Sequence, residues 1–239
     1  GFVISAALPA SLDCDWVESC YMGIRHCCEE YRVNLLGGDV TGSPKGIILT
    51  GTVVGMVPCD QAVKRSGAQV GDLVFVTGTI GDSAAGLAAL MAGKSKEYPL
   101  LVSHHQRPNP QIALGTLLRE AGATSLNDIS DGLSREANEI AKASGVVMGI
   151  VEELIPLCLE TKQLAKERKK NPFLWAWNGG EDYQLVGTIS PENYEKVQDN
   201  DSITVIGRVL ESSDNPGIFA VSQEKKVRVA AHGYDHFNK

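Results

Sequence analysis

The chain has 239 residues, long enough to bury a sizeable core in one large domain or two small ones. Its 43% hydrophobic and 21% charged content is ordinary for a globular protein, and no apolar run approaches the about 20 residues of a membrane span. A net charge of −7 argues against a nucleic-acid surface or an anionic membrane as main partner, though metal ions, an Arg or two and backbone N–H groups still allow a phosphate ligand.

No basic-then-apolar signal segment is present. The six cysteines (Cys14, Cys20, Cys27, Cys28, Cys59 and Cys158) form no CxxC pair. They read as buried free thiols of a reducing compartment, the cytoplasm, and not as a zinc site or disulfide framework.

The chain opens without an initiator Met on the apolar run Phe2-Val3-Ile4-Ser5-Ala6-Ala7-Leu8. This reads as a buried strand with no partner before it, so the expectation is of a chain whose N-terminal portion is absent. Asp13 and Asp15 then precede a helix with an apolar face of Trp16, Val17, Cys20, Ile24, Cys27, Cys28 and Tyr31, and Asp15 with Glu18 resembles a capping box. Residues 33–36 read as a strand running into Gly37-Gly38-Asp39-Val40-Thr41. There the glycines permit a sharp turn or close approach to a ligand, and Asp39 projects from the strand end. The same tripeptide is also a common turn.

Residues 46–57 read as one long bent strand. Residues 62–68 form a short helical turn with a basic end, where Arg65 is either a bidentate phosphate clamp or simply solvated. The strand 73–77 leads through Gly78-Thr79-Ile80-Gly81-Asp82-Ser83 into a helix at 84–91. This unit can present backbone N–H groups to an anion but lacks the terminal Gly-Lys-Ser/Thr of a Walker A loop. A polar loop at 93–110 carries His104, His105 and Arg107, and a helix at 111–121 follows.

Asn127-Asp128-Ile129-Ser130-Asp131-Gly132-Leu133 sits just ahead of a helix marked by Leu133, Ala137, Ile140 and Ala141 and closed by Ser144-Gly145. Two readings stand. Ser130 or Asp131 caps the helix, for which one carboxylate suffices. Alternatively, Asp128 and Asp131 hold a hard divalent cation between them, because two ionised acids side by side cost about 1–4 kcal/mol without one.

Further strands are expected at 146–151, 184–189 and 203–209, a charged and solvated helix at 160–170, and a closing hairpin from 218–221 and 226–229. Between 173–177 and the strand at 184, Asn178-Gly179-Gly180-Glu181-Asp182-Tyr183 sets two acids at a strand mouth. The tail is Gly233-Tyr234-Asp235-His236-Phe237. A domain boundary is expected between 57 and 71. No Cys or Ser–His arrangement suggests a nucleophile; carboxylates, glycine turns and a few Arg suit phosphoryl transfer.

Gly37-Gly38-Asp39-x-Thr41, Arg65-Ser66-Gly67-Ala68, Gly78-Thr79-x-Gly81-Asp82-Ser83-Ala84-Ala85-Gly86-Leu87, Asp128-Ile129-Ser130-Asp131-Gly132, Gly179-Gly180-Glu181-Asp182-Tyr183 and Gly233-Tyr234-Asp235-His236-Phe237 occur in one order. Over essentially the whole chain they resemble the thiamine-monophosphate kinase family of the aminoimidazole-ribotide synthetase-like superfamily. The resemblance implies an α/β (α+β) fold of two domains: a partial N-terminal barrel half-domain at 1–60 and a C-terminal α/β sandwich domain at 61–239. It implies ATP-dependent phosphorylation of thiamine monophosphate to the diphosphate with Mg2+, by a homodimer with no nucleic-acid or membrane partner. Asp39, Asp128 and Asp131 would bind magnesium. Tyr21, which no motif anchors, Gly38, Asp39, Arg65 and Ser130 would contact the nucleotide, and Glu181 and Tyr234 would hold the thiamine moiety.

Position 40 departs from the family pattern, with Val where Thr is usual. The family also has upstream acids that complete its magnesium cluster. A chain lacking them is expected to be a poor kinase, with unpaired edge groups on the Phe2–Leu8 strand. The alternatives are a ribotide or selenophosphate synthetase-like member of the superfamily and a non-catalytic nucleotide-binding fragment.

Overall fold

The structure is a computed structural model and describes residues 1–221 and 226–231. The chain divides into two compact units, Gly1–Asp60 and Gln61–Lys239. Among the described residues no helix is long and apolar enough to cross a membrane.

The first unit contains β1 (Phe2–Leu8), α1 (Cys14–Tyr31), β2 (Leu35–Gly42) and β3 (Ile48–Val53). Asp13 caps α1, its carboxylate accepting from the Asp15 N–H at 3.1 Å, so the cap is Asp13 and not an Asp15–Glu18 box. Val17, Cys20, Tyr21, Ile24, Cys28 and Tyr31 make a half-buried stripe along the helix, while Trp16 and Cys27 stay exposed. No cysteine of the chain is buried: three are exposed and three intermediate, all free.

β1 is the central strand of an open three-stranded sheet, parallel to β2 and antiparallel to β3. Both its edges are therefore paired. The expectation of an edge left open is corrected, because the downstream strand β3 folds back onto it. Only Ile4 and Ala6 of β1 are buried, two residues apart on one face. Gly37-Gly38-Asp39 is not a turn but part of β2, with Gly38 opposite Ile4 and Asp39 opposite Ser5. A Cβ on Gly38 would stand 1.8 Å from the Ile4 carbonyl oxygen, so glycine serves close approach of backbone to backbone. Every residue of β2 and β3 is exposed, Leu36, Val40, Ile48 and Val53 among them.

The second unit begins with an extended segment at 61–72, where the expected helical turn at 62–68 is absent. It continues with β4 (Leu73–Thr77), α2 (Asp82–Met91), α3 (Pro99–Gln106), α4 (Ile112–Ala121), β5 (Ala123–Asp128), α5 (Leu133–Ser144) and β6 (Val146–Val151). After a 3-10 turn (Glu152–Leu154) come α6 (Leu159–Glu167), α7 (Phe173–Asn178), β7 (Leu185–Ile189), α8 (Pro191–Tyr194), β8 (Ile203–Ser212), β9 (Gly217–Val221) and β10 (Lys226–Val229). The strands form a seven-stranded sheet in the order β10-β9-β6-β8-β4-β7-β5, antiparallel except between β6 and β9.

Alternation along β4 shows how both faces are filled. Val74 and Val76 enter a core with Ile129, Leu133, Ala137 and Ile140, while Phe75 enters a second core with Leu118, Ala121 and Ile189. A third cluster joins Ala85 and Ala89 of α2, Leu101 of α3 and Leu164 of α6. Burial of Leu101 and a proline in the first turn account for a helix where the polar composition suggests a loop. Burial of Thr161, Leu164 and Ala165 likewise makes α6 a packed helix with one inward face, not a wholly solvated one.

α2 and α3 approach so closely that a Cβ on Gly86 would lie 2.0 Å from the Leu101 carbonyl oxygen. Gly86→Ala is expected to destabilise the second unit by about 1–3 kcal/mol, the usual cost of overpacking a core. Urea denaturation checks this; an unchanged midpoint would show that the two helices separate freely.

Candidate functional site

Pairing between β5 and β7 does not stop at the sheet's edge. Ile129 donates its N–H to the Gln184 carbonyl at 2.7 Å, Tyr183 to the Ile129 carbonyl at 2.9 Å, and Glu181 to the Ser130 carbonyl at 2.7 Å. This seam holds the Asp128–Asp131 segment against the Glu181–Asp182–Tyr183 segment. Gly180 permits it, since a Cβ there would meet the Ser130 carbonyl oxygen at 2.4 Å. Glu181 (φ 68°) and Tyr183 (φ 50°) are both left-handed, at a cost of about 1–3 kcal/mol each that the seam offsets.

Asp182 points inward between them and is 8% exposed. Its carboxylate accepts from the backbone N–H of Gly81 at 2.7 Å and of Ser83 at 3.0 Å. The N–H groups expected to greet an external anion at the start of α2 are therefore taken by the protein's own acid. Burial pushes Asp182 up to about 7, against the lowering effect of its two donors. Asp82 beside it is also buried, but bonds from His104, Thr161 and Thr79 outweigh that burial and hold it below the usual range. The Asp82 bond in turn raises His104, while His105 Nδ1 lies 3.0 Å from Ser83 Oγ. The histidine pair thus ties α3 to α2.

Asp128 is exposed at the end of β5, and Ser130 and Asp131 are half-buried. The N-cap of α5 is Gly132 (φ 107°), with no side-chain cap bond. The capping reading of Ser130 and Asp131 is thereby corrected: the glycine turns the chain so that neither side chain folds back over the helix end. Asp131 instead has its Oδ2 3.4 Å from Arg135 Nε. Glu136, in the first turn of α5, is buried and takes a hydrogen bond from Asn127 Nδ2. Burial first, then the neighbouring Asp128 and Asp131 carboxylates, raise Glu136 above its ordinary value. Arg65 is not merely solvated, because its Nε donates to Asn127 Oδ1 at 2.9 Å. Glu181 is exposed and accepts from Tyr183 Oη at 3.2 Å. Burial, then Glu181, with Asp128 and Asp131 adding to them, hold the Tyr183 phenol above its usual range.

Within the second unit the fold therefore gathers Arg65, Asp128, Ser130, Asp131 and Glu181 around Glu136 and Tyr183. Tyr21 lies in the half-buried stripe of α1, and Gly38 and Asp39 lie in β2, all in the first unit. Tyr234 falls outside the described residues. Sequence reasoning gave no role to Asn127, Glu136 or Tyr183. The available signal was an acid, Glu136, three residues after Leu133 on the apolar side of α5. Among the described residues no group of three or more His, Cys, Asp or Glu is placed to hold a metal. Asp128, exposed, and Asp131, half-buried, offer hard oxygens in an acid-rich setting, which fits magnesium bound by two carboxylates together with substrate phosphates.

Comparison with known proteins defines the class first. Residues 1–57 match the family of AIR synthase related proteins, N-terminal domain, and residues 69–215 match its C-terminal domain. The thiamine-monophosphate kinase of Bacillus subtilis is 35% identical over 99% of this chain and 74% of its own length. A crystal structure of the Aquifex aeolicus thiamine monophosphate kinase superposes with a TM-score of 0.81 at 36% identity, covering 95% of this chain and 74% of that one. A second structure, described as AaThiL complexed with AMPPCP and TMP, gives 0.78 at 34% identity, with 95% and 72% covered. The chain belongs to the thiamine-monophosphate kinase family, and its mixed α/β fold is that of the AIR synthase related proteins.

The raised carboxyl of Asp182 has a pH signature. Between its ordinary value of 3.8 and about 7, the unfolded chain releases a proton that the folded chain keeps. The group's contribution is full below about 4 and lost as the pH rises through about 7. Asp182→Asn removes this dependence, so the stability advantage of wild type over the variant should shrink from pH 4 to 7 and level off above. Urea unfolding of both proteins across that range tests the sign; a constant difference would refute it.

Proposed function

We propose that this chain transfers the γ-phosphoryl group of ATP to thiamine monophosphate, giving thiamine diphosphate and ADP. The observation that carries the reading is the β5–β7 seam, which sets the Asp128–Asp131 pair beside Glu181 in a chain so similar to kinases of this name. The relative bound to AMPPCP and TMP supports both substrates.

In this reading a phosphate oxygen of thiamine monophosphate attacks the γ-phosphorus, and the bond from that phosphorus to the bridging oxygen breaks. No protein nucleophile is required, and catalysis is mostly positioning and electrostatics. Asp128 and Asp131 hold magnesium, which when bound neutralises charge on the phosphates. Arg65 offers a guanidinium to phosphate oxygens and Ser130 contacts the nucleotide. Glu181 pairs with the cationic heterocycle of thiamine, and Tyr234 is assigned to the same moiety. In the first unit Asp39 is assigned to magnesium and nucleotide, and Gly38 and Tyr21 to the nucleotide, on the resemblance alone.

Residues 1–60 and 61–239 are taken as its two domains, and the exposed apolar residues of β2 and β3 favour a homodimer. The all-free thiols agree with a cytoplasmic enzyme.

Asp131→Asn should weaken magnesium-dependent binding of AMPPCP about tenfold or more, as loss of a charged ligand to the ion implies. Stability should change by less than about 0.5 kcal/mol, since no helix cap is removed and the Arg135 pair is solvated. Calorimetric titration with and without magnesium decides the matter; unaltered affinity would remove Asp131 from the metal site. Glu181→Gln keeps the acceptor for Tyr183 Oη but loses the charge. It should raise the KM for thiamine monophosphate about tenfold and leave that for ATP nearly unchanged, the size expected for one lost charge-assisted contact. Equal losses for both substrates would move Glu181 to the nucleotide side.

A further inference from the structure

We propose that Glu136 and Asn127 are positioning residues that aim the Arg65 guanidinium at the nucleotide phosphates. The inference rests on the reading of Arg65 as a phosphate contact and adds to it how that side chain is held.

Glu136 is 4% exposed and Asn127 is 7% exposed. A buried carboxylate costs several kcal/mol unless donors meet it, and an apolar side chain would fill that helix position more cheaply. Glu136 takes a hydrogen bond from Asn127 Nδ2. An ionised carboxylate only accepts, so the Asn127 amide has a single compatible orientation. Its oxygen must face away from Glu136, and there it meets Arg65 Nε at 2.9 Å. Each amide end is thus committed, acid to amide to guanidinium, with charge and dipole aligned along the row.

The backbone of Arg65 is pinned by the same helix. Ser144 Oγ, at the C-terminal end of α5, donates to the Arg65 carbonyl at 3.2 Å and accepts from the N–H of Gly67 and Ala68 at 3.1 and 3.2 Å. The Leu126 N–H holds the Lys64 carbonyl at 3.1 Å. An arginine forfeits rotamer entropy when it is immobilised, and fixing Nε in advance removes part of that loss from binding. With Nε engaged, the Nη1–Nη2 edge donates no hydrogen bond to any described residue. That edge is the fork that matches two phosphate oxygens. The row therefore runs from a buried acid to an available cation.

The test is a double-mutant cycle in the full chain, with Arg65→Ala, Asn127→Ala and Glu136→Gln, read as the Kd for AMPPCP at saturating magnesium. Arg65→Ala and Asn127→Ala should each weaken binding about tenfold, the size of one hydrogen bond to a charged group. Asn127→Ala or Glu136→Gln should add nothing further in the Arg65→Ala background. Exchange of the Arg65 Nε–H, followed by NMR, should be slow in wild type and fast in Asn127→Ala and in Glu136→Gln, which conserves volume and carries the test if the alanine variant fails to fold.

If Arg65→Ala binds AMPPCP like wild type, the phosphate reading of Arg65 falls and the proposal falls with it. Should Arg65→Ala weaken binding while the other losses multiply with it, or fail to occur, only the positioning role is overturned. A Glu136→Gln loss that raised magnesium restores, independently of Arg65, would make Glu136 a metal ligand and also overturn it.

Discussion

The candidate site depends on three backbone hydrogen bonds that extend the β5–β7 pairing beyond the sheet, between residues 129–130 and 181–184. They fix two acid-bearing segments from distant parts of the chain at backbone distance. Once this seam is made, side-chain direction follows from local geometry. Glu181 and Tyr183 take left-handed conformations and Asp182 between them turns into the core. Asp182 then reaches the N–H groups of Gly81 and Ser83, and so fastens the seam to α2 as well. A single acid-rich motif thereby divides its labour: Asp182 stabilises, and Glu181 stays at the surface.

Electrostatics around the seam follow from what is buried. Asp128, Asp131 and Glu136 crowd one end of α5, and among the described residues Arg65 and Arg135 are cations close to them. Asp128 is exposed and Asp131 half-buried, so both keep contact with water, whereas Glu136 is taken from water and relies on Asn127. This excess of carboxylate over cation is poor design for stability alone. It suits a surface that meets a divalent ion and phosphates, because ion and ligand complete the charge balance. The overall charge of −7 is therefore no obstacle to a phosphate ligand.

Much of the second unit was legible from periodicity. Leu73–Thr77 is apolar on both faces because it feeds two cores, Val146–Val151 sends Val146, Met148 and Ile150 into the first of them, and α5 shows its apolar stripe at Leu133, Ala137, Ile140 and Ala141. The elements that misled did so where long-range contact overrides local chemistry. The stretch 93–110 reads as a polar loop, yet α3 within it buries Leu101 against α2. Gly37-Gly38-Asp39 has the composition of a turn, yet lies in a strand because only glycine tolerates the Ile4 carbonyl at that distance. The Phe2–Leu8 run reads as a strand without a partner, yet β2 and β3 pair with its two edges.

By itself the sequence determined the two-part order of elements and the acid-and-glycine motifs that relate the chain to its family. Hydrophobic period and residue type are local properties, written directly in the chain. The tertiary structure alone decided which acid does what. Ser130 and Asp131 were as good as any residues for capping α5, until Gly132 turned the backbone away from them. Asp182 and Glu181 are chemically near-equivalent neighbours, separated only by which one the seam drives against the N-terminus of α2. Nothing local to Arg65 foretold its partner, because the fold brings Asn127, 62 residues further along, within reach of its Nε. Burial and hydrogen-bond partners are set by residues far apart in the chain, so they exist only once it has folded.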